Sequence, residues 1–474
     1  MSTHPCAAEH LPLARIFHWE RTRTHYSYLT QPIGNGHVRE YTWGHAVGEA
    51  RRIAAYLKAQ GWPQGSTVAI LSKNCAHWIM ADFAIWIAGY VSVPIYPTLT
   101  AESVRQILEH SEAKACFIGK LDGWEQMRPG IPSNVLCIAT PLSPKTDYVQ
   151  WDELVAKTAP LEGEVVHDAD ALATIVYTSG TTGMPKGVMH SFGNIGWSAG
   201  PPEQRGNLNP DDRMLSYLPL AHVAERWLVE ANSIRAGFRV FFAESLDTFV
   251  VDLRRARPTY FISVPRLWTK FQQGVFAQMP KQKLDRLFTV PLLGRLLKKK
   301  IVQGLGLDAV RIAGGGAAPM PPTLIQWYRD LGLELLEGYG MTENFGCSHG
   351  SRVGEARIGY VGQAWDGTEH RISPEGEVQT RGPTTMQGYF KEPEKTRETM
   401  TEDGWLRTGD LGEIDAQGRL KIIGRLKEQF KTSKGKYVAP APIENKLSTH
   451  SAIEACCVAG ANFPQPFALL MLNA

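Results

Sequence analysis

At 474 residues the chain is too long for one small core and is expected to divide into two or more domains. A net charge of +3 at pH 7 gives no case for nucleic acid as the main partner, and apolar and charged fractions of 43% and 20% are those of an ordinary soluble globular protein. Residues 1–11 carry no basic stretch ahead of an apolar core, so no secretory signal is visible, and seven cysteines without C-x-x-C spacing suit a reducing cytoplasm better than a disulfide framework or a metal site.

In chain order, residues 41–60 have helical spacing with a basic face. Residues 66–72 (S-T-V-A-I-L-S) read as a strand, 76–89 as a helix, 91–96 as a second apolar run, and 101–111 as a helix closing before Cys116-Phe117-Ile118. The most apolar stretch, 78–94, contains Asp82 and is too short to span a membrane, so a buried helix–strand pair is expected. Short apolar runs alternating with helical segments predict parallel strands joined by crossover helices. The pattern recurs from Thr174 to Gly338, with strands expected at 173–177, 240–243, 260–264 and 310–313. Residues 292–301 mix leucines with Arg295, Lys298, Lys299 and Lys300, which fits a packed surface helix or a weak peripheral membrane contact. From about Val353, short strands, Gly/Pro turns and charged residues predict a smaller β-rich subdomain. Cys456 and Cys457 are neighbours in an expected strand and would point to opposite faces.

The most informative stretch follows the strand at 173–177. It reads Thr178-Ser179-Gly180-Thr181-Thr182-Gly183-Met184-Pro185-Lys186-Gly187. Backbone N–H groups exposed by glycines, hydroxyls and one ammonium are what a polyphosphate needs around it. The order G-T-T-G-M-P-K-G departs from the G-x-x-x-x-G-K-[ST] loop that opens a helix, which removes P-loop kinases and GTPases. The alternative, a flexible Ser/Gly linker, does not account for a non-repetitive run after a buried strand. This stretch resembles the phosphate-binding signature of the adenylate-forming superfamily: acyl-CoA synthetases, peptide-synthetase adenylation domains and beetle luciferases.

Five further segments extend the resemblance. In Tyr217-Leu218-Pro219-Leu220-Ala221-His222-Val223-Ala224-Glu225-Arg226-Trp227, a histidine alone is more often a core or cap residue; the resemblance puts His222 on the wall of a fatty-acyl tunnel and makes Trp227 its gate. In Ile312-Ala313-Gly314-Gly315-Gly316-Ala317, three glycines after a strand let a flat ring or an acyl chain lie against bare backbone, or simply make a tight turn. The resemblance assigns Gly314 to the acyl pocket and Gly315, Gly316 and Ala317 to the nucleotide. In Glu337-Gly338-Tyr339-Gly340-Met341-Thr342-Glu343, an aromatic ring, a hydroxyl and a carboxylate supply a stacking face for adenine, a donor to phosphate and a hard oxygen ligand for Mg²⁺. Asp410, at the end of W-L-R-T-G-D, is a turn aspartate or the acceptor of both ribose hydroxyls. In the basic run from Ile422 to Pro440, which is otherwise a solvated surface, the resemblance makes Arg425 a ribose contact and Lys427 the hinge of a rotating small domain, with Gly435 facing the site when CoA attacks. The segments together look most like long-chain fatty acyl-CoA synthetases.

The expected fold is therefore α/β. A large N-terminal domain, residues 1–424, would hold two doubly wound αβ subdomains and the β-rich subdomain, and residues 425–474 would begin a small mobile α+β domain. The implied activity is ATP-dependent conversion of a long- or medium-chain fatty acid to acyl-AMP, with release of pyrophosphate, then thioester formation with CoA. Lys186, Thr342 and Glu343 would be catalytic. Thr181 and Glu343 would serve Mg²⁺. Thr178 to Gly183, Glu337, Gly338, Tyr339 and Gly340 would hold ATP. Another acceptor (a carrier protein, a β-lactone or oxidation) and a non-catalytic acyl-AMP sensor are the alternatives. A cytoplasmic or membrane-peripheral location is expected, and the oligomeric state is left open, a homodimer being one option. The superfamily carries a catalytic lysine late in its small domain, and no residue here matches it. A truncated chain is the expectation; a complete one would adenylate about 10²–10³-fold more weakly.

Overall fold

The computed structural model describes residues 4–178, 185–200, 206–447, 450 and 452–472. It divides into two compact units. The first comprises Met1–Pro258, Met341–Gly346 and Pro383–Arg397, and the second Thr259–Gly340, Cys347–Gly382 and Glu398–Ala474.

Among the described residues, the first unit is built on an eight-stranded sheet in the order Gly388–Tyr389, Lys186–Ser191, Leu172–Thr178, Val91–Ile95, Thr67–Leu71, Ala115–Ile118, Leu136–Ala139 and Val149–Gln150. From Leu172–Thr178 onward the neighbours are parallel, as alternating strands and helices require. The other end corrects the expectation of crossovers throughout. Lys186–Ser191 returns antiparallel on Leu172–Thr178, and Gly388–Tyr389 adds antiparallel beyond it. Gly187 permits this close return, because a Cβ there would lie 2.7 Å from Ile175 Cγ2 and 3.1 Å from the Tyr177 ring.

The stretch around Asp82 is the expected buried helix–strand pair. All thirteen residues of Ala76–Ala88 are buried, and Gly89 ends the helix with φ 87° in the left-handed region. Asp82 survives in this core because Arg226 bonds it directly, while Arg226 Nε donates to Glu230 at 3.0 Å. The Trp78 and Trp86 rings lie 5.4 and 5.7 Å from the guanidinium carbon. Burial pushes both carboxyls up, Glu230 well above its ordinary range. Burial also opposes the charge on Arg226, but the two acids more than offset it and hold the guanidinium charged.

A second sheet in this unit orders Arg213–Ser216, Arg239–Phe242, Ser27–Pro32 and Val38–Thr42. Its last strand shortens the helix expected from residue 41. That helix begins at Trp43, with the Thr42 side chain accepting from His45 N.

The second unit carries a sheet of Tyr260–Ser263, Ile312–Gly315 and Leu335–Tyr339 in parallel, continued antiparallel by His349–Gly350 and Gln363–Ala364. The predicted β-rich region is an antiparallel sheet of Glu369–Ile372, Glu377–Arg381, Leu406–Ile414 and Leu420–Arg425. Two hairpins and the helix Pro440–Leu447 follow. The basic segment forms the helix Leu293–Gly304, which leaves Leu293 and Leu296 exposed. Among the described residues no helix is long and apolar enough to cross a membrane. None of the seven cysteines is in a disulfide; Cys456 is half-buried and Cys457 exposed, the alternation expected of a strand.

Candidate active site

The phosphate signature begins and ends in the first unit. Thr178 and Lys186 are register partners on adjacent antiparallel strands. Ser179, Gly180, Thr181, Thr182 and Gly183 lie outside the described residues. Half-buried Lys186 places its ammonium nitrogen 4.9 Å from the centroid of the Tyr389 ring. The Tyr389 hydroxyl donates to Glu343 Oε1 at 2.7 Å. Tyr389 is itself fixed: it is 4% exposed, its N–H donates to Thr396 Oγ1 at 2.8 Å, and the next residue, Phe390, bonds Gly187 O through its N–H.

Thr342 and Glu343 occupy a short 3-10 turn, Thr342–Asn344. The Met386 N–H donates to the Glu343 carbonyl at 2.8 Å. Behind the turn, the His190 Nε2 lies 2.7 Å from the Thr342 carbonyl. Burial pushes His190 down to about 4, so at neutral pH the ring is uncharged and Nε2 carries the proton it donates. Among the described residues no hydrogen bond engages the second carboxylate oxygen of Glu343. That leaves a hard anionic oxygen of the type Mg²⁺ takes, so the donor chemistry fits the ion.

His222 and Trp227 also belong to the first unit. His222 caps the turn Val223–Glu225, its Nδ1 accepting from Ala224 N at 3.0 Å, and burial lowers its pKa. Half-buried Trp227 lies in a π-helical stretch, Arg226–Ala231, and its indole N–H donates to Ser198 O at 2.8 Å. Residues 216–220 are clamped by two buried polar side chains. Glu225 Oε1 accepts from Ser216 Oγ and Tyr217 N, each at 2.9 Å. Asn74 donates to Ser216 Oγ at 2.8 Å and accepts from Leu220 N at 2.9 Å. Burial pushes Glu225 up to about 8, although those hydrogen bonds oppose it.

The residues expected to hold the nucleoside lie in the second unit. The Tyr339 hydroxyl donates to Asp410 Oδ2 at 2.6 Å, and Arg425 Nε lies 2.9 Å from Asp410 Oδ1. Asp410 and Arg425 are register partners on adjacent strands. Asp410 is 5% exposed, and burial raises its pKa against the pull of Tyr339 and Arg425. Burial and the Asp410 charge together raise the Tyr339 phenol well above its usual range. Half-buried Glu337 is pushed up to about 7 by burial, with backbone N–H groups of Met320 and Gly359 opposing.

The glycine segment differs from its expected position after a strand, because Gly314 and Gly315 lie within Ile312–Gly315. A Cβ on Gly314 would stand 2.6 Å from the Leu336 carbonyl oxygen, so this glycine serves close packing between parallel strands. Half-buried Gly316 stands over Gly338, whose carbonyl oxygen would be 3.1 Å from an added Cβ. Ala317 is exposed, with φ 65°. Gly340 is half-buried just beyond the strand Leu335–Tyr339. Lys427 is exposed in the turn Leu426–Glu428 that follows the strand of Arg425.

Tyr389, His190, Asn74 and Glu225 went unread in the sequence. Glu225 stands inside a quoted motif and could have been singled out as a carboxylate among apolar residues. Tyr389 is far from Lys186 and Glu343 in sequence and meets them only through the tertiary fold, so no local spacing reveals it.

The AMP-binding enzyme family model matches residues 18–390. The chain is 32% identical to long-chain-fatty-acid–CoA ligase FadD15 of Mycobacterium bovis over 497 residues, covering 97% of this chain and 82% of that protein. It is 32% identical to the peroxisomal long chain acyl-CoA synthetase 7 of Arabidopsis thaliana, covering 92% of this chain and 69% of that protein. The solved anthranilate CoA ligase AuaEII, in complex with anthranoyl-AMP, has the same fold, with a TM-score of 0.81 at 22% identity over 98% of this chain and 87% of that one. The chain belongs to the AMP-binding enzyme family.

Proposed function

We propose that this protein activates a long- or medium-chain fatty acid with ATP and transfers the acyl group to CoA. A carboxylate resists attack because its oxide is a very poor leaving group. Its attack on the α-phosphorus of ATP forms the acyl–phosphate bond and releases pyrophosphate. The CoA thiol then adds to the acyl carbon, loses its proton, and displaces AMP. Little covalent chemistry falls to the protein, so placement and charge dominate.

Lys186 pairs with the β- and γ-phosphates, while the hydroxyls of Thr178 and Thr342 donate to phosphate oxygens. Glu343 would hold Mg²⁺, which when bound neutralises phosphate charge. Asp410 and Arg425 receive the ribose hydroxyls, and Tyr339 offers adenine a face. Trp227 and His222 border the acyl chain. The observation carrying this reading is the pair of contacts on Tyr389, with Lys186 at 4.9 Å and Glu343 at 2.7 Å. A cation for phosphate and a hard anion for a metal are thereby displayed around one ring. The names of the relatives favour a fatty acid over other carboxylic acids.

The test is product analysis with ATP, Mg²⁺ and a fatty-acid series, with and without CoA. Acyl-CoA, AMP and pyrophosphate are expected in equal amounts. ATP binding without AMP formation from any acid would overturn the reading. Residues 425–474 would rotate about Lys427 between the steps, and a cytoplasmic location fits cysteines held outside disulfides. The exposed Leu293, Leu296, Lys299 and Lys300 of Leu293–Gly304, beside half-buried Lys298, support weak peripheral membrane contact, which liposome co-sedimentation with Lys298, Lys299 and Lys300 changed to glutamate tests.

A further inference from the structure

Lys186 and Glu343 have opposite charges and meet the same side chain, yet they form no ion pair with each other. A direct pair would be natural for two half-buried groups this close to a common partner. It would also be harmful if the lysine must reach phosphate and the glutamate must reach a metal, since each would spend its charge on the other. Tyr389 supplies both with a substitute. Its ring face, electron-rich, attracts the ammonium, and its hydroxyl donates to one carboxylate oxygen while the second has no hydrogen bond among the described residues. The ring cannot drift. It is nearly fully buried, its N–H is held by Thr396, and its strand is paired to the strand of Lys186.

We propose that Tyr389 is a positioning residue that keeps Lys186 and Glu343 apart and separately available, the lysine for polyphosphate and the glutamate for a divalent cation. The proposal rests on the roles given to those two residues above. It divides one side chain into two separable duties. The hydroxyl serves the metal-binding oxygen, and the ring serves the lysine.

Calorimetric titration of the full chain with ATP, with and without Mg²⁺, separates them without relying on turnover. Tyr389→Phe keeps the ring and loses the hydroxyl. It should weaken Mg·ATP binding about tenfold while leaving metal-free ATP binding within about twofold of wild type. Tyr389→Leu loses both contacts and should weaken metal-free ATP binding as well, about three- to tenfold. Should the leucine variant lose its circular-dichroism signature, the phenylalanine variant still decides the role of the hydroxyl. Equal losses with and without metal in Tyr389→Phe, or none in either, would overturn the proposal. Lys186→Ala and Glu343→Gln are the reference variants. If Glu343→Gln leaves the Mg²⁺ dependence intact, the assignment of Glu343 itself fails. If it abolishes that dependence while Tyr389→Phe binds like wild type, only the role of Tyr389 fails.

Discussion

Tyr339 donates its phenolic proton to Asp410 across 2.6 Å, and Arg425 occupies the other carboxylate oxygen at 2.9 Å. Each oxygen keeps a lone pair, so a carboxylate held from two sides still offers two acceptors in a fixed orientation. That suits a vicinal diol. Asp410→Ala should raise the KM for ATP about 10- to 100-fold with a smaller change in kcat, as expected when binding is lost equally from ground and transition states. Tyr339→Phe should raise it about three- to tenfold. Pyrophosphate-release kinetics measure both, and an unchanged KM in Asp410→Ala would remove it from the nucleoside role.

Trp227 is anchored by its indole N–H to the Ser198 carbonyl at 2.8 Å. Trp227→Phe loses that bond and part of the ring while keeping an aromatic side chain, whereas Trp227→Ala empties the position. The alanine variant should lower kcat/KM for long-chain acids about tenfold and flatten the preference among chain lengths. Competition between two fatty acids in one reaction reads this directly, and an unaltered preference would place the gate elsewhere.

The residues proposed for the nucleotide could be named from the sequence because each falls in a compact motif whose chemistry is local. Thr178 and Lys186 were found by their spacing, and the strand register merely joins them. The Gly314 reading shows the limit. A bare backbone looks the same in sequence whether it faces a ligand or a neighbouring strand, and the Leu336 carbonyl occupies that space. The antiparallel return of Lys186–Ser191 was missed for a similar reason, since strand direction depends on pairing partners rather than on the apolar run. Tyr389 and Asn74 act on residues distant in sequence, and only folding brings those contacts about.

Glu225 gives a pH dependence of defined sign. Its folded pKa, about 8, exceeds the ordinary carboxylate value, so the native state binds a proton more tightly than the unfolded chain does. Its contribution is fully favourable below the unfolded pKa of about 4.3 and is lost as pH rises to the folded value. Stability measured by urea unfolding should therefore fall between about pH 4.5 and pH 8 from this group. Glu225→Gln should reduce that slope. An unchanged slope would show that Glu225 is ionised in the native protein or that other groups dominate.

Arg226 lies fully buried between Asp82 and Glu230. Arg226→Met removes the only cation from this trio and strands two acids, which should cost about 3–5 kcal/mol. Changing Asp82 to Asn and Glu230 to Gln in the same chain should recover part of that loss, since the stranded charges are gone. Denaturant midpoints compare the three proteins. A methionine variant as stable as wild type would mean that the acids are already neutral without the arginine.

The π-helical stretch Arg226–Ala231 joins that anchored arginine to Trp227 and then to Ser233, whose hydroxyl lies 3.0 Å from the Tyr28 hydroxyl. A π turn spends one more residue than an α turn over the same rise. Deleting one residue here would restore regular helix and leave Ser233 facing Tyr28, because the extra residue is what the wider turn absorbs, whereas a deletion from a regular α turn rotates everything downstream by about 100°. The segment is therefore the part of this helix where the loss of one residue disturbs the downstream contacts least. A one-residue deletion should accordingly be accommodated between Arg226 and Ala231, whereas the flanking α turns would not accept it.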